Sequence, residues 1–265
     1  MPHIEANGLS IGYDVHGAGP PLVLLHGATS SGREDWAAQI PLMARAFRVY
    51  VPDARGHAST RWDADESWSF AALVDDLAGF VDALGLGTFH LAGFSMGAMT
   101  ALAYGARWPD RLRTLIVAGA ALERQPRAAV ARRLMDPARI EATDPAWAAR
   151  LAARHDPVQG DGAWRRLLPA IVAGVEHEPM LAAREIHAIS PPTLVVVGDR
   201  DPFVPVGQAW ALQRLLPDGR LLVVPDAPHE VMIRRPGIFN EAVGVFYRST
   251  QEAARRRMRP GEPVG

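Results

Sequence analysis

Apolar residues along this chain follow two rhythms that alternate. IEANGLSIGYDVHG (Ile4–Gly17) alternates with period two about an Asn-Gly pair and predicts a hairpin. GPPLVLLHG (Gly19–Gly27) is a short unbroken apolar run, the pattern of a strand buried on both faces. DWAAQIPLMARAF (Asp35–Phe47) has helical spacing that continues through Pro41 and predicts one helix, and FRVYVPDARGH follows as a strand with its loop. ESWSFAALVDDLAGFVDALG (Glu66–Gly85) carries apolar residues at Phe70, Leu73, Val74, Leu77, Phe80, Val81 and Leu84, with a glycine stop. The strand TFHLAGF, the helix MGAMTALAYGARW and the strand RTLIVAGA (Arg113–Ala120) come next.

Strand and helix in alternation predict an α/β fold whose parallel sheet is covered on both faces. The rhythm breaks from Leu122 to Ile189, where the text is rich in Ala and Arg, is cut by Asp-Pro pairs, and holds no convincing strand. It resumes with PPTLVVVGDRD, the helix VGQAWALQRLLP, the strand RLLVVPDAPH and a last helix from about Gly237. The expected organisation is an α/β core from residues 1–121 and 190–258, a helical insertion at 122–189 and a frayed tail at 259–265. An insertion of that length commonly covers a site.

Composition narrows the chemistry. The net charge of −1 favours neither nucleic acid nor an acidic membrane. The chain has no cysteine, which excludes disulfides, thiolate metal sites and cysteine nucleophiles. It also has no lysine, which excludes a P-loop lysine and a Schiff-base lysine. The polar N-terminus is unlike a secretory signal, and no apolar run approaches the ~20 residues of a membrane span, so a cytoplasmic protein is expected. The histidines show no metal-ligand spacing, and the Gly17–Pro20 turn lacks a full dinucleotide fingerprint; neither metal nor cofactor is expected.

GFSMG (Gly93–Gly97) matches G-x-S-x-G between a strand and a helix. A sharp strand-to-helix turn exposes the hydroxyl, and glycines two residues either side remove the side chains that would collide. The helix start at Met96 offers free N–H groups beside a developing oxyanion. A serine needs a base, and the base an orienting acid. Downstream, His229 in VVPDAPHE is the one histidine after the insertion that follows a core strand, and VVVGDRDPFVP supplies Asp201. Asp201 is preferred to Asp199, which suits a turn; Glu123 is a weaker substitute, and Asp226 lies too near His229 in sequence. HGATSSG (His26–Gly32) fits the second half of an oxyanion hole, with the N–H of Ala28 beside that of Met96 and His26 bracing the loop. Asp53 and Arg55 are expected to pair with each other.

HGATSSG, DARGH, GFSMGA, GDRDPFVP and DAPHEVMIRRP, in this order, resemble the α/β-hydrolase superfamily over nearly the whole chain. The likeness is nearest to the compact bacterial branch of esterases, enol-lactonases, cofactor-free haloperoxidases and carbon–carbon bond hydrolases. It implies an eight-stranded, mostly parallel sheet and a helical cap between the sixth and seventh core elements. Ser95 matches the family nucleophile, Asp201 the acid, His229 the base, and Ala28 and Met96 the oxyanion donors. Pro228, the GHAS text and Ala98 depart from common family glycines and histidines. Ser95 argues against the branches that use an aspartate nucleophile, the haloalkane dehalogenases and epoxide hydrolases.

The expected activity is hydrolysis of a small carboxylic ester or lactone through an acyl-enzyme. The alternatives are carbon–carbon bond hydrolysis with the same triad, and a ligand sensor of negligible turnover. From the insertion, Trp147, Trp164, Leu167, Leu168 and Ile171 are candidates for an apolar lining, and Arg154, Arg165 and Arg166 for meeting a carboxylate.

Overall fold

A computed structural model describes residues 1–63, 68–177 and 179–257. Its strands form one eight-stranded sheet in the order β1-β2-β4-β3-β5-β6-β7-β8. They are β1 (His3–Ala6), β2 (Leu9–His16), β3 (Pro21–Leu25), β4 (Arg48–Pro52), β5 (Phe89–Phe94), β6 (Leu112–Ala118), β7 (Thr193–Gly198) and β8 (Gly219–Val224). The β1–β2 and β2–β4 pairs are antiparallel and the rest are parallel. Asn7 and Gly8 turn the β1–β2 hairpin with φ of 50° and 77°, the left-handed pair that an Asn-Gly dipeptide tolerates.

The central strands bury both faces, which is why they read as unbroken apolar runs. Val23, Leu91, Leu115, Val117, Val195 and Val197 point to one core, and Leu22, Leu24, Ala92, Ile116, Leu194 and Val196 to the other. Helices α1 (Gly32–Asp35) and α2 (Ile40–Met43) precede α3 (Phe70–Ala83) and α4 (Met96–Arg107). Ser69 caps α3 by accepting from the N–H of Ala72 at 3.1 Å. Gly85, at φ 67°, closes its other end, and the N–H of Leu86 returns to Val81 at 2.9 Å. The expected start of that helix at Glu66 lies outside the described residues, as does the expected tail at 259–265.

The single helix expected over Asp35–Phe47 is two short ones. Proline has no N–H to donate and its ring clashes with a helical carbonyl four residues back, so Pro41 fits only the first turn of a new helix. The break is useful: Trp36, fully buried, donates its indole N–H to the carbonyl of Leu25 at 3.2 Å. That contact fixes the end of β3.

Between β6 and β7 the described residues form α5 (Arg127–Leu134), α6 (Pro137–Thr143), α7 (Pro145–Gln159), α8 (Trp164–His177) and α9 (Ala183–His187). Ile140, Leu151, Trp164, Leu168 and Ile171 join the core cluster of α3 and α4, so the excursion packs on one face of the sheet. Then come α10 (Val206–Leu215), the short α11 (Val231–Arg234), which the sequence pattern did not predict, and α12 (Pro236–Arg257). Phe239, Val243 and Phe246 of α12 cover the opposite face.

His90 of β5 is buried beneath α12 and hydrogen-bonds Thr114 Oγ1 through Nδ1 at 2.7 Å. Burial, helped by Arg113, pushes its pKa from 6.5 down to about 4. An unfolded imidazole takes a proton near pH 6.5, but this one does so only near pH 4. Between those values the unfolded chain binds more protons, so stability is full above the window and falls as pH drops through it. Buried His57, also lowered to about 4, acts in the same direction. The melting midpoint should fall between pH 6.5 and about 4, and His90→Gln should make the fall shallower. An unchanged slope in the variant would contradict a neutral buried imidazole.

Candidate active site

Parallel register brings the functional loops to one rim. Leu25 lies opposite Gly93, Phe94 opposite Ala118, Ala118 opposite Val196, and Gly198 opposite Val224. The loops that follow β3, β5, β6, β7 and β8 therefore leave from the same carboxyl edge, where sites of open α/β sheets gather.

Ser95 sits between β5 and α4 with φ 52° and ψ −111°, a conformation costing on the order of 1–3 kcal/mol for a residue with a side chain. Its N–H donates to the carbonyl of Ala118 at 2.8 Å. The flanking glycines have a steric reason. A Cβ on Gly93 would lie 2.2 Å from the carbonyl oxygen of Gly97, and one on Gly97 would lie 2.6 Å from the carbonyl of Leu25. Turn, helix and β3 end are in backbone contact, with no room for a methyl group.

The hydroxyl of Ser95 faces Nε2 of His229 at 2.8 Å, and Nδ1 of His229 faces Oδ2 of Asp201 at 2.7 Å. The Asp201 side chain is fully buried. Its second oxygen accepts the N–H groups of Phe203 at 2.7 Å and Val204 at 3.0 Å. Those bonds fix the orientation of the carboxylate toward His229. Aromatic rings bound the imidazole: Phe203 at 4.4 Å between centroids with planes 32° apart, and Phe94 at 5.0 Å. Gly119, at φ 67°, forms a third wall, since a Cβ there would lie 2.7 Å from Cε1 of His229. Asp199 accepts from the N–H of Ala227 at 3.3 Å, tying the β7 loop to the β8 loop instead of bonding its own turn. The side chain of Asp226 is exposed, and the N–H of Glu123 binds the buried Gln208.

Facing Ser95 is the loop after β3. The carboxylate of Asp35 accepts the N–H of Gly27 at 2.8 Å. His26 Nδ1 bonds the carbonyl of Gly27 at 2.7 Å, and its Nε2 accepts the N–H of Ala54 at 2.9 Å. These partners assign the proton to Nδ1. The carbonyl of Ala28 meets Nε2 of His57 at 2.9 Å. Burial pushes the Asp35 carboxyl up, against the pull of His26, the Gly27 N–H and Arg154. The N–H of Gly97 is taken by the carbonyl of His26 at 3.0 Å. Among the described residues, no hydrogen bond is formed by the N–H of Ala28 or of Met96, the first residue of α4. Met96 follows the serine directly, and Ala28 lies in the loop after β3.

Other expected residues lie elsewhere. Arg55 holds Asp76 with two hydrogen bonds of 2.6 Å, whereas Asp53 receives Gly32 N–H at 2.9 Å and the Ser59 hydroxyl at 2.5 Å. Each side chain of the expected pair thus also reaches a partner 21 residues away, Arg55 to Asp76 and Asp53 to Gly32. Trp164 is fully buried in the core cluster, and Leu167 lies under Gly56 of the β4 loop. Trp147 is half-buried in the first turn of α7. Nothing described brings these three into contact with Ser95. Arg154 binds the carbonyl of Thr29 and Glu34, and Arg165 binds Glu141. Gly119, Phe203 and Asp35 had no motif to mark them. A glycine ending β6 and the Asp-Pro-Phe text after β7 were the available signals.

Among the described residues there is no helix long and apolar enough to cross a membrane and no cluster of metal-ligating side chains. A model of the alpha/beta hydrolase family matches residues 22–242. The chain is 28% identical to 2-hydroxymuconate semialdehyde hydrolase of Pseudomonas sp. (strain CF600), over 95% of each. It is similar to a thermophilic esterase from Thermogutta terrifontis, with 26% identity and a TM-score of 0.74 over 94% of this chain and 98% of that one. A meta-cleavage product hydrolase from Pseudomonas fluorescens IP01 shares the fold at a TM-score of 0.78, with 23% identity over 94% and 98% of the two chains.

Gly119→Ala should lower kcat by about tenfold or more while Asp201 and Ser95 remain in place, because the new methyl group meets the imidazole edge. Turnover of a chromogenic hydrolase substrate by the purified variant checks this; a wild-type kcat would show that the wall does not position His229.

Proposed function

The chain belongs to the alpha/beta hydrolase family, and we propose that it is a serine hydrolase cleaving a small carboxylic ester or lactone with Ser95, His229 and Asp201. One observation carries the reading: a continuous hydrogen-bonded chain of 2.8 Å and 2.7 Å from hydroxyl through imidazole to buried carboxylate. The two unengaged N–H groups of Ala28 and Met96 support it.

In this mechanism His229 Nε2 takes the proton of Ser95 as Oγ attacks the carbonyl carbon. The carbonyl π pair moves to oxygen, and the oxyanion receives the N–H groups of Ala28 and Met96. Collapse expels the alcohol, which takes the proton from His229 and leaves an ester on Ser95. Water, deprotonated by the same nitrogen, attacks that ester; a second collapse returns Ser95 and releases the acid. Asp201 keeps the imidazole in the tautomer that accepts at Nε2 and stabilises its cation. Residues 122–189 serve as a cap over a site carried by 1–121 and 190–258.

The relatives named for 2-hydroxymuconate semialdehyde and meta-cleavage products favour a second reading, carbon–carbon bond hydrolysis of a dienoic keto acid by the same three side chains. Assays of a p-nitrophenyl ester beside a chromogenic dienoate separate the two.

A fluorophosphonate probe should phosphonylate Ser95, forming a P–O bond and releasing fluoride, with mass spectrometry locating the adduct. Ser95→Ala should abolish labelling and lower ester turnover by about 10⁴-fold or more. Labelling at another residue, or none in the wild-type protein, would contradict the assignment.

A further inference from the structure

The last turns of α7 grip two core loops, the one after β3 and the one after β4. Arg154 Nη1 donates to the carbonyl of Thr29, and Nη2 donates to Glu34. His155, fully buried, accepts the N–H of Ala58 at 3.1 Å and packs edge-on against His57, with centroids 5.4 Å apart. Gln159 donates to the carbonyl of Thr60 at 2.7 Å and accepts the N–H of Trp62 at 3.0 Å. One end of one helix thus reaches both loops. The other arginines that pair within this region face inward to it, Arg165 to Glu141 and Arg132 to Glu176.

We propose that Arg154 is a positioning residue that holds the oxyanion loop from the cap side, so that the N–H of Ala28 is aimed only while the end of α7 is seated. The inference rests on the hydrolytic reading above. Around that N–H the backbone is held group by group. Asp35 takes the N–H of Gly27, His26 its carbonyl, His57 the carbonyl of Ala28, and Arg154 the carbonyl of Thr29. The first three anchors belong to the core. The fourth comes from the cap, where His155 also interacts with the Thr29 backbone; without Arg154 the hold on the Thr29 peptide weakens and the loop around Ala28 loosens. Arginine suits the task because its planar fork reaches a carbonyl and a carboxylate at once, which a point-charge ammonium does not. The side chain is 14% exposed, and Glu34 is 50% exposed, so the guanidinium bridges inside to outside at the cap edge. Arg154 Nε is buried and has no acceptor among the described residues. A substrate carboxylate bound by Arg154 is therefore the rival role.

The experiment compares wild type, Arg154→Ala, Arg154→Lys and Glu34→Gln on two substrates, neutral p-nitrophenyl acetate and the anionic p-nitrophenyl hemisuccinate. Arg154→Ala should lower kcat on both by about tenfold, with KM changed less than about twofold. Labelling of Ser95 by a fluorophosphonate should slow in proportion, and amide exchange over residues 27–30 should quicken. Arg154→Lys should recover part of the loss. Glu34→Gln, which keeps an acceptor, should show a smaller fall in kcat, and it decides the matter if Arg154→Ala does not fold: an unchanged kcat there overturns the proposal. An unchanged kcat on the acetate in Arg154→Ala overturns it too. So does a rise in KM confined to the hemisuccinate, which assigns Arg154 to substrate. A wild type that labels at Ser95 beside indifferent variants contradicts this inference alone; a wild type that neither labels nor hydrolyses contradicts the reading of the site as well.

Discussion

The structure turns on one crowded junction, where β3, β5 and α4 meet with no side chain between them. Gly93 and Gly97 allow that approach, since a Cβ at either would lie 2.2 Å or 2.6 Å from a neighbouring carbonyl group. The approach forces Ser95 into φ 52° and ψ −111°. From that point the hydroxyl meets Nε2 of His229 at 2.8 Å. The strain is held by the sheet: Ser95 N–H is pinned to Ala118, and Gly97 N–H to the loop after β3. A strained residue persists where its surroundings over-determine it.

Everything at the rim then becomes a matter of aiming. Asp201 is buried but fully partnered, with one oxygen on His229 and the other on two backbone N–H groups. His229 is walled by Phe203, Phe94 and Gly119, so its two nitrogens stay on their partners. The opposite loop is arranged on the same plan, with Asp35, His26 and His57 each fixing one backbone group. His57 lies between the carbonyls of Arg55 and Ala28, and burial with the neighbouring His26 lowers its pKa to about 4. Polar groups in such a network are costly unless satisfied, and satisfied they rigidify.

What could be read from the sequence follows the range of each interaction. The hairpin at Asn7–Gly8, the doubly buried strands, the helix over Phe70–Ala83 and the glycine-boxed serine depend on local pattern, and the fold matches them. The break at Pro41 was also local, but the apolar spacing on either side of the proline masked it. Pairings across the chain left no trace. Arg55 joins Asp76 of α3, 21 residues away, a contact that the local DARGH text gives no sign of. Likewise Trp164 is buried in the core cluster, and Leu167 packs under Gly56, because the insertion docks on the sheet as a packed layer. Which side chains of residues 122–189 face outward or inward is set by that docking, for which amphipathic spacing carries no code.

A crystal structure of the protein phosphonylated at Ser95 gives the decisive view of the proposed oxyanion hole. The phosphoryl oxygen should sit about 2.7–3.1 Å from the backbone nitrogens of both Ala28 and Met96, with His229 still on Asp201. A phosphoryl oxygen turned to solvent, with those two N–H groups unengaged, would contradict the oxyanion hole and the mechanism built on it.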